Sequence, residues 1–190
     1  MKKIYTTLNS AAALLLLFLI PVMFSCKQNS GDKQNPEKRE LSEQEKEAMI
    51  ERSIEEGSLT EKLKNKNFEQ ALSNIASLHL KYPHDPQLYF YEGWVYDMKE
   101  DSIKSHIAFS KALNIYDSLI VAKTNFVNEI NRAVIVQILY GQEAYTKALD
   151  KIQEKYNTYN DSLEIEMVWR KFVYNPNEFF QGTPTNSSVN

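Results

Sequence analysis

The residues able to do acid–base, nucleophilic or metal chemistry are scattered along this chain instead of grouped. Three histidines are present, His79, His84 and His106. Pro83 separates the first two and ends any helix there, so they do not share the one-face i, i+4 geometry that binds zinc. Each reads as a surface or half-buried helix residue. None of the five glycines builds a phosphate-cradling loop, and no serine sits in a nucleophile elbow. Glu43, Glu47 and Glu51 fall beside lysines on what reads as a solvated helix face, not a catalytic carboxylate pair. Cys26 is the single cysteine, so no internal disulfide forms in any redox compartment. The expectation is a protein that is not an enzyme, with no catalytic residues, no metal site and no cofactor.

Charge narrows the partners. The formal net charge is −3; removal of Lys2 and Lys3 with an N-terminal segment leaves 20 basic against 25 acidic residues, a balance of −5. A weakly acidic body with interspersed signs does not displace counterions from a phosphate backbone, so nucleic acid is excluded as a partner. At 43% hydrophobic and 25% charged, the chain has the composition of one globular domain. Its 11 Tyr, 9 Phe and 2 Trp concentrate in the helical stretches and supply large side chains for a core.

Lys2 and Lys3, the apolar run Ala11–Ile20, Pro21 and the closing Met23-Phe24-Ser25-Cys26 form the three parts of a secretory signal. The alternative is an uncleaved membrane helix, but 11–24 is 14 residues with a proline, against ~20 needed to span a bilayer. With Ser25 directly before the cysteine, the segment resembles a bacterial lipoprotein signal. That resemblance implies a signal peptide over residues 1–25 and fatty acylation, palmitate included, at Cys26 as the first mature residue. Lys27 follows the cysteine where a retention signal would place aspartate, so the resemblance favours the outer membrane of a bacterial cell envelope. The stretch Lys27–Glu40 has no large apolar residue and reads as a flexible tether. Residues 26–40 thus serve as lipid attachment and tether, reaching at most ~50 Å extended and about 20 Å as a coil.

The helical body is expected over residues 41–174. Ser42 and Glu45 form a capping-box pattern opening a helix toward Glu56, with Ala48, Met49 and Ile54 as a thin stripe, broken at Gly57-Ser58 and followed by a short helix over Leu59–Lys64. A helix over Phe68–Tyr82 carries Phe68, Ala71, Leu72, Ile75 and Leu78 at helical spacing. Pro83 stops it, and Asp85 with Pro86 starts the next, apolar nearly all round through Met98. Ile103–Tyr116 returns antiparallel. Asp117 or Ser118 is expected to cap a long helix over Leu119–Tyr140. Its run Ala133–Tyr140, AVIVQILY, has a buried strand as its alternative; helix is favoured because Phe126, Ile130, Ala133, Val134 and Ile138 share one face and no second strand exists to pair with it. Gly141 turns into Glu143–Tyr156. Asp161 and Glu164 open a last helix through Leu163, Ile165, Val168, Trp169 and Phe172, ended by Asn175-Pro176. Residues 175–190 read as a largely disordered tail.

The spacing of Tyr89, Gly93 and Tyr96 on one helix and Ser105, Phe109 and Ala112 on the next resembles a tetratricopeptide repeat. Phe68, Ala71, Ile75 and Pro83 match the second helix and terminal proline of a preceding unit, and Pro83 and Asp117 stand 34 residues apart, the family's period. The resemblance implies an all-α fold: a short array of helical hairpins closed by a C-terminal capping helix. It also implies a concave face for an extended or helical peptide, which here maps onto Gln87, Phe90, Trp94 and Asp97. A polar stripe of Asn125, Asn128 and Arg132 lies beside it, able to hydrogen-bond a peptide backbone or carboxylate. The alternative is that Phe90 and Trp94 are covered by the third unit or by the C-terminal segment with Phe179 and Phe180. Glu92 occupies a place the family fills with leucine, where a buried carboxylate is either satisfied locally or functional. The implied function is a membrane-anchored protein–protein interaction module, an adaptor or assembly subunit whose protein or peptide partner lies in the envelope. The rival is a glycan- or small-molecule-binding lipoprotein of a nutrient-uptake system.

Overall fold

The computed structural model describes residues 42–180; Cys26, the signal-like segment, the tether and residues 181–190 lie outside them. Six α-helices and one 3-10 turn make up the described chain, which contains no strand. The all-α class expected from the hydrophobic spacing is therefore what the chain forms.

Helix α1 (Glu43–Lys64) opens with the expected capping box: the Ser42 hydroxyl accepts from the Glu45 amide and the Glu45 carboxylate accepts from the Ser42 amide at 2.8 Å. The expected break at Gly57-Ser58 does not occur. Gly57 faces open space, where glycine costs a helix about 1 kcal/mol. Leu59 and Leu63 on the next turns are fully buried, each contributing ~1.5–3 kcal/mol, so packing outweighs propensity and the helix continues. Helix α2 (Phe68–Lys81) buries Ala71, Ile75 and Leu78. It stops at Tyr82, which leaves the helical region ahead of Pro83.

Helix α3 (Pro86–Met98) is capped by the Asp85 side chain, which accepts from the Gln87 amide, with Pro86 in the first turn. It buries Leu88, Phe90, Tyr91, Gly93, Trp94 and Val95, so it is enclosed on most of its circumference. Helix α4 (Ser102–Ala122) packs along it. A Cβ at Gly93 would stand 2.9 Å from three atoms of the Phe109 ring: the absent side chain is what lets the α4 ring lie on the α3 backbone. Helix α4 runs past the expected end at Tyr116, and Asp117 lies inside it instead of capping a successor. The proline that ends α2 has this aspartate as its counterpart 34 residues on. An aspartate keeps its amide and carries no ring, so nothing stops the helix there.

Asn125 caps the following helix α5 (Phe126–Lys155), its side chain accepting from the Asn128 amide. A straight helix of 30 residues spans about 45 Å, yet the rings of Phe126 and Tyr156 lie 5.2 Å apart. Lys155 and the Tyr156 hydroxyl both reach Glu129, at 2.6 and 3.1 Å. The element therefore doubles back as a hairpin of limbs 126–140 and 142–155, hinged at Gly141, where φ is +84° and ψ 179°. Residues 133–140 are helical, not a strand. Helix α6 (Tyr159–Met167) begins at Thr158, whose hydroxyl accepts from the Asp161 amide. The chain then tightens into the 3-10 turn Trp169–Lys171, and the Tyr145 hydroxyl donates to the Trp169 carbonyl at 2.8 Å. The expected single helix through Phe172 is thus divided, with Ile165, Trp169 and Phe172 still buried. All these elements share one hydrophobic core.

Two substitutions test this architecture by urea denaturation. Gly93→Ala should lower stability by ~1–2 kcal/mol, because overpacking against Phe109 exceeds the gain in helix propensity; a more stable variant would mean the α3–α4 approach is not close. Gly141→Ala should cost ~1–3 kcal/mol, since that φ/ψ region belongs almost wholly to glycine; an unchanged midpoint would refute the hinge.

Candidate functional site

Phe90 and Trp94, four residues apart on α3, form the floor of a groove. Each is only 2% exposed, and what covers them is the chain's own C-terminal segment. Leaving the 3-10 turn at Phe172, the chain passes Val173, which is 69% exposed, and runs along α3 and the first limb of α5.

The segment is held by its main chain. The Gln137 side-chain amide brackets Val173, donating to the Phe172 carbonyl at 3.0 Å and accepting from the Tyr174 amide at 2.8 Å. Trp94 Nε1 donates to the Pro176 carbonyl at 2.8 Å. Its local shape follows from Asn175-Pro176, a pair suited to opening a turn. The Asn175 side chain accepts from the Asn177 amide at 3.0 Å, and its carbonyl accepts from the amides of Glu178 and Phe179, both at 3.1 Å. That turn sends two rings back onto the groove floor. Phe179 lies 5.1 Å from Phe90, and Phe180 lies 4.5 Å from Trp94 and 5.7 Å from Tyr91, centroid to centroid. The other side of Trp94 meets Phe68 of α2 edge-on at 5.9 Å.

Tyr174 adds a polar anchor. Its ring meets Phe109 at 6.1 Å, and its hydroxyl donates to Asp97 at 3.2 Å. Burial and the adjacent Asp97 charge push the phenol pKa well above its ordinary value, so the group stays a donor at physiological pH.

The expected site residues divide in two. Phe90, Trp94 and Asp97 do converge on one face, and that face is filled. Gln87 sits one turn earlier on α3 and donates to the Tyr91 hydroxyl. Two side chains of the expected polar stripe on the neighbouring helix are engaged elsewhere: Asn125 is a helix cap, accepting from the Asn128 backbone amide, and Arg132 pairs with Asp117 of α4. Glu92 meets His79 of α2 at 3.3 Å, and the His79 ring stacks on Tyr89 at 4.1 Å. The carboxylate is thus satisfied by an interhelical partner. Sequence reasoning overlooked Gln137 and Tyr174. The one legible signal was a glutamine inside the apolar run 133–140.

The expected tail is corrected over 175–180: Phe179 packs against the core and Phe180 is buried, with Asn177 and Glu178 exposed at the turn, and the folded body extends beyond 174. Among the described residues no group of three or more His, Cys, Asp or Glu side chains is placed to hold a metal ion. No helix among them is long and apolar enough to cross a membrane. No family model, curated protein or solved structure matches the chain.

Substitution at the groove floor should separate packing from hydrogen bonding. Trp94→Ala should cost ~3–5 kcal/mol as a buried truncation, whereas Trp94→Phe keeps an aromatic ring and should cost about 1 kcal/mol for the lost bond to Pro176. Wild-type stability of Trp94→Phe in thermal unfolding would show that the indole N–H contributes nothing, and equal losses in the two variants would show that ring packing contributes nothing.

Proposed function

We propose that the protein is a lipid-anchored helical-hairpin adaptor of a bacterial envelope, resembling tetratricopeptide-repeat modules, whose groove holds a stretch of polypeptide. The observation that carries this reading is the way the groove grips its present occupant: Gln137 and Trp94 bond to main-chain atoms at Phe172, Tyr174 and Pro176. Main-chain bonding by a groove, with side-chain pockets beside it, is how receptors hold extended peptides. The chemistry of the body agrees, because its acidic surface suits no phosphate polymer. A sugar-stacking role for Trp94 is disfavoured, since Phe68 and Phe180 both pack against its ring.

The mechanism is positional. Acylation of Cys26 confines the body to one membrane, most simply the outer one. The tether sets a reach of at most ~50 Å, and confinement raises the effective concentration of partners on the same surface. Labelled palmitate supplied to growing cells should enter the wild type and not Cys26→Ser, which should also leave the membrane fraction. Cross-linking in intact envelopes should give one stoichiometric protein adduct that Cys26→Ser loses. Unlabelled wild type would overturn the anchor, and the absence of an adduct would overturn the adaptor.

A further inference from the structure

We infer that residues 173–180 are a resident mimic of the partner: the groove's exogenous ligand is a peptide that turns as Asn175-Pro176 does and carries an adjacent aromatic pair after the turn, and it binds by displacing this segment. The inference rests on the adaptor reading above and names the ligand class and the control of the same groove.

Four features carry it. The polar grip is on the segment's carbonyls and one amide, at Phe172, Tyr174 and Pro176. Any peptide offers those main-chain groups, and sequence enters the polar grip through the bond from the Tyr174 hydroxyl to Asp97. Selectivity resides also in two aromatic sockets, one at Phe90 for Phe179, the other at Trp94 and Tyr91 for Phe180. The segment also holds its own shape through the Asn175 turn, as a preorganised ligand does. Finally, it lies outermost: Asn177 and Glu178 face solvent, and the chain leaves the core at the exposed Val173 after the buried Phe172. It can peel away without unthreading another element.

An empty groove is not a stable alternative. Removal of the segment would uncover Phe90, Tyr91 and Trp94 together and leave the Trp94 N–H and the Gln137 amide without those partners. The groove therefore exchanges occupants. A tethered occupant competes at an effective concentration on the order of millimolar. A free peptide of equal intrinsic strength at micromolar concentration displaces only about one part in a thousand. A ligand on the same membrane, concentrated by the anchor, escapes that penalty.

The test uses the full chain. Phe179→Ala/Phe180→Ala releases the sockets, and the probe is a fluorescein-labelled peptide with the sequence of residues 172–180, FVYNPNEFF. Fluorescence anisotropy should show the variant binding it at least ~100-fold more tightly than wild type, and neither binding a control peptide with serine at both closing positions. Failure of a folded variant to bind, or equal binding by wild type, overturns the mimic. So does assembly of the variant or wild type into dimers by sedimentation, which would make a second copy the occupant. Should the variant not fold, amide exchange on the wild type decides. The Tyr174, Glu178 and Phe179 amides should exchange at least ~100-fold faster than Val95 in α3, and a common rate would make the segment part of the cooperative core and overturn the inference. Loss of the mimic with palmitate labelling and the envelope adduct intact leaves the adaptor standing; loss of those two removes the adaptor itself.

Discussion

A helix that is apolar around most of its circumference has to be covered from several directions, and α3 imposes that requirement on the whole molecule. One side of it is met by α2 through Phe68 against Trp94. Another is met by α4, which approaches closely enough for Phe109 to rest on Gly93. The third is met by residues 174–180, with Tyr174, Phe179 and Phe180 closing over Phe90 and Trp94. The hairpin of α5 and the helix α6 then serve partly to deliver that last cover: Gln137 fixes its path and Tyr145 anchors the turn from which it departs. Some of the polar groups brought inside by this arrangement find partners, as the Tyr174–Asp97 contact shows, while His79 meets Glu92 through Nε2 and leaves its buried Nδ1 without a hydrogen bond.

Local signals proved readable where the chemistry was local. Ser42 with Glu45, Asp85 with Pro86 and the hinge glycine at 141 each act within a few residues, and each does what its composition implied. Gly93 was also legible, because only a small residue admits a close helix contact. The misplaced boundaries have a shared origin. Glycine at 57 argued for a break that distant burial of Leu59 and Leu63 overrides. A repeat period argued for an end at Asp117, but period describes spacing while termination needs a residue that cannot continue the helix.

The site was half legible. An aromatic pair on α3 could be picked out by its helical spacing, and coverage by Phe179 and Phe180 was one of two open arrangements. The polar part was not legible, because it depends on separations no local pattern encodes: Gln137 finds its partners 35 and 37 positions later. Asn125, Asn128 and Arg132 looked available until helix α4 was seen to extend, which turned one into a cap and gave another an ion-pair partner.

The bond from Trp94 to Pro176 joins residues 82 positions apart. The hairpins, by contrast, join neighbours in sequence and can form as they emerge. Synthesis at ~5–20 residues per second leaves about 4–16 s between the two ends of that bond. During that interval the α3 face is exposed on a chain whose other hairpins are already assembling. Residues 173–180 are what closes that face. A chain truncated a few codons before Phe180 would leave synthesis with the Trp94 face still uncovered.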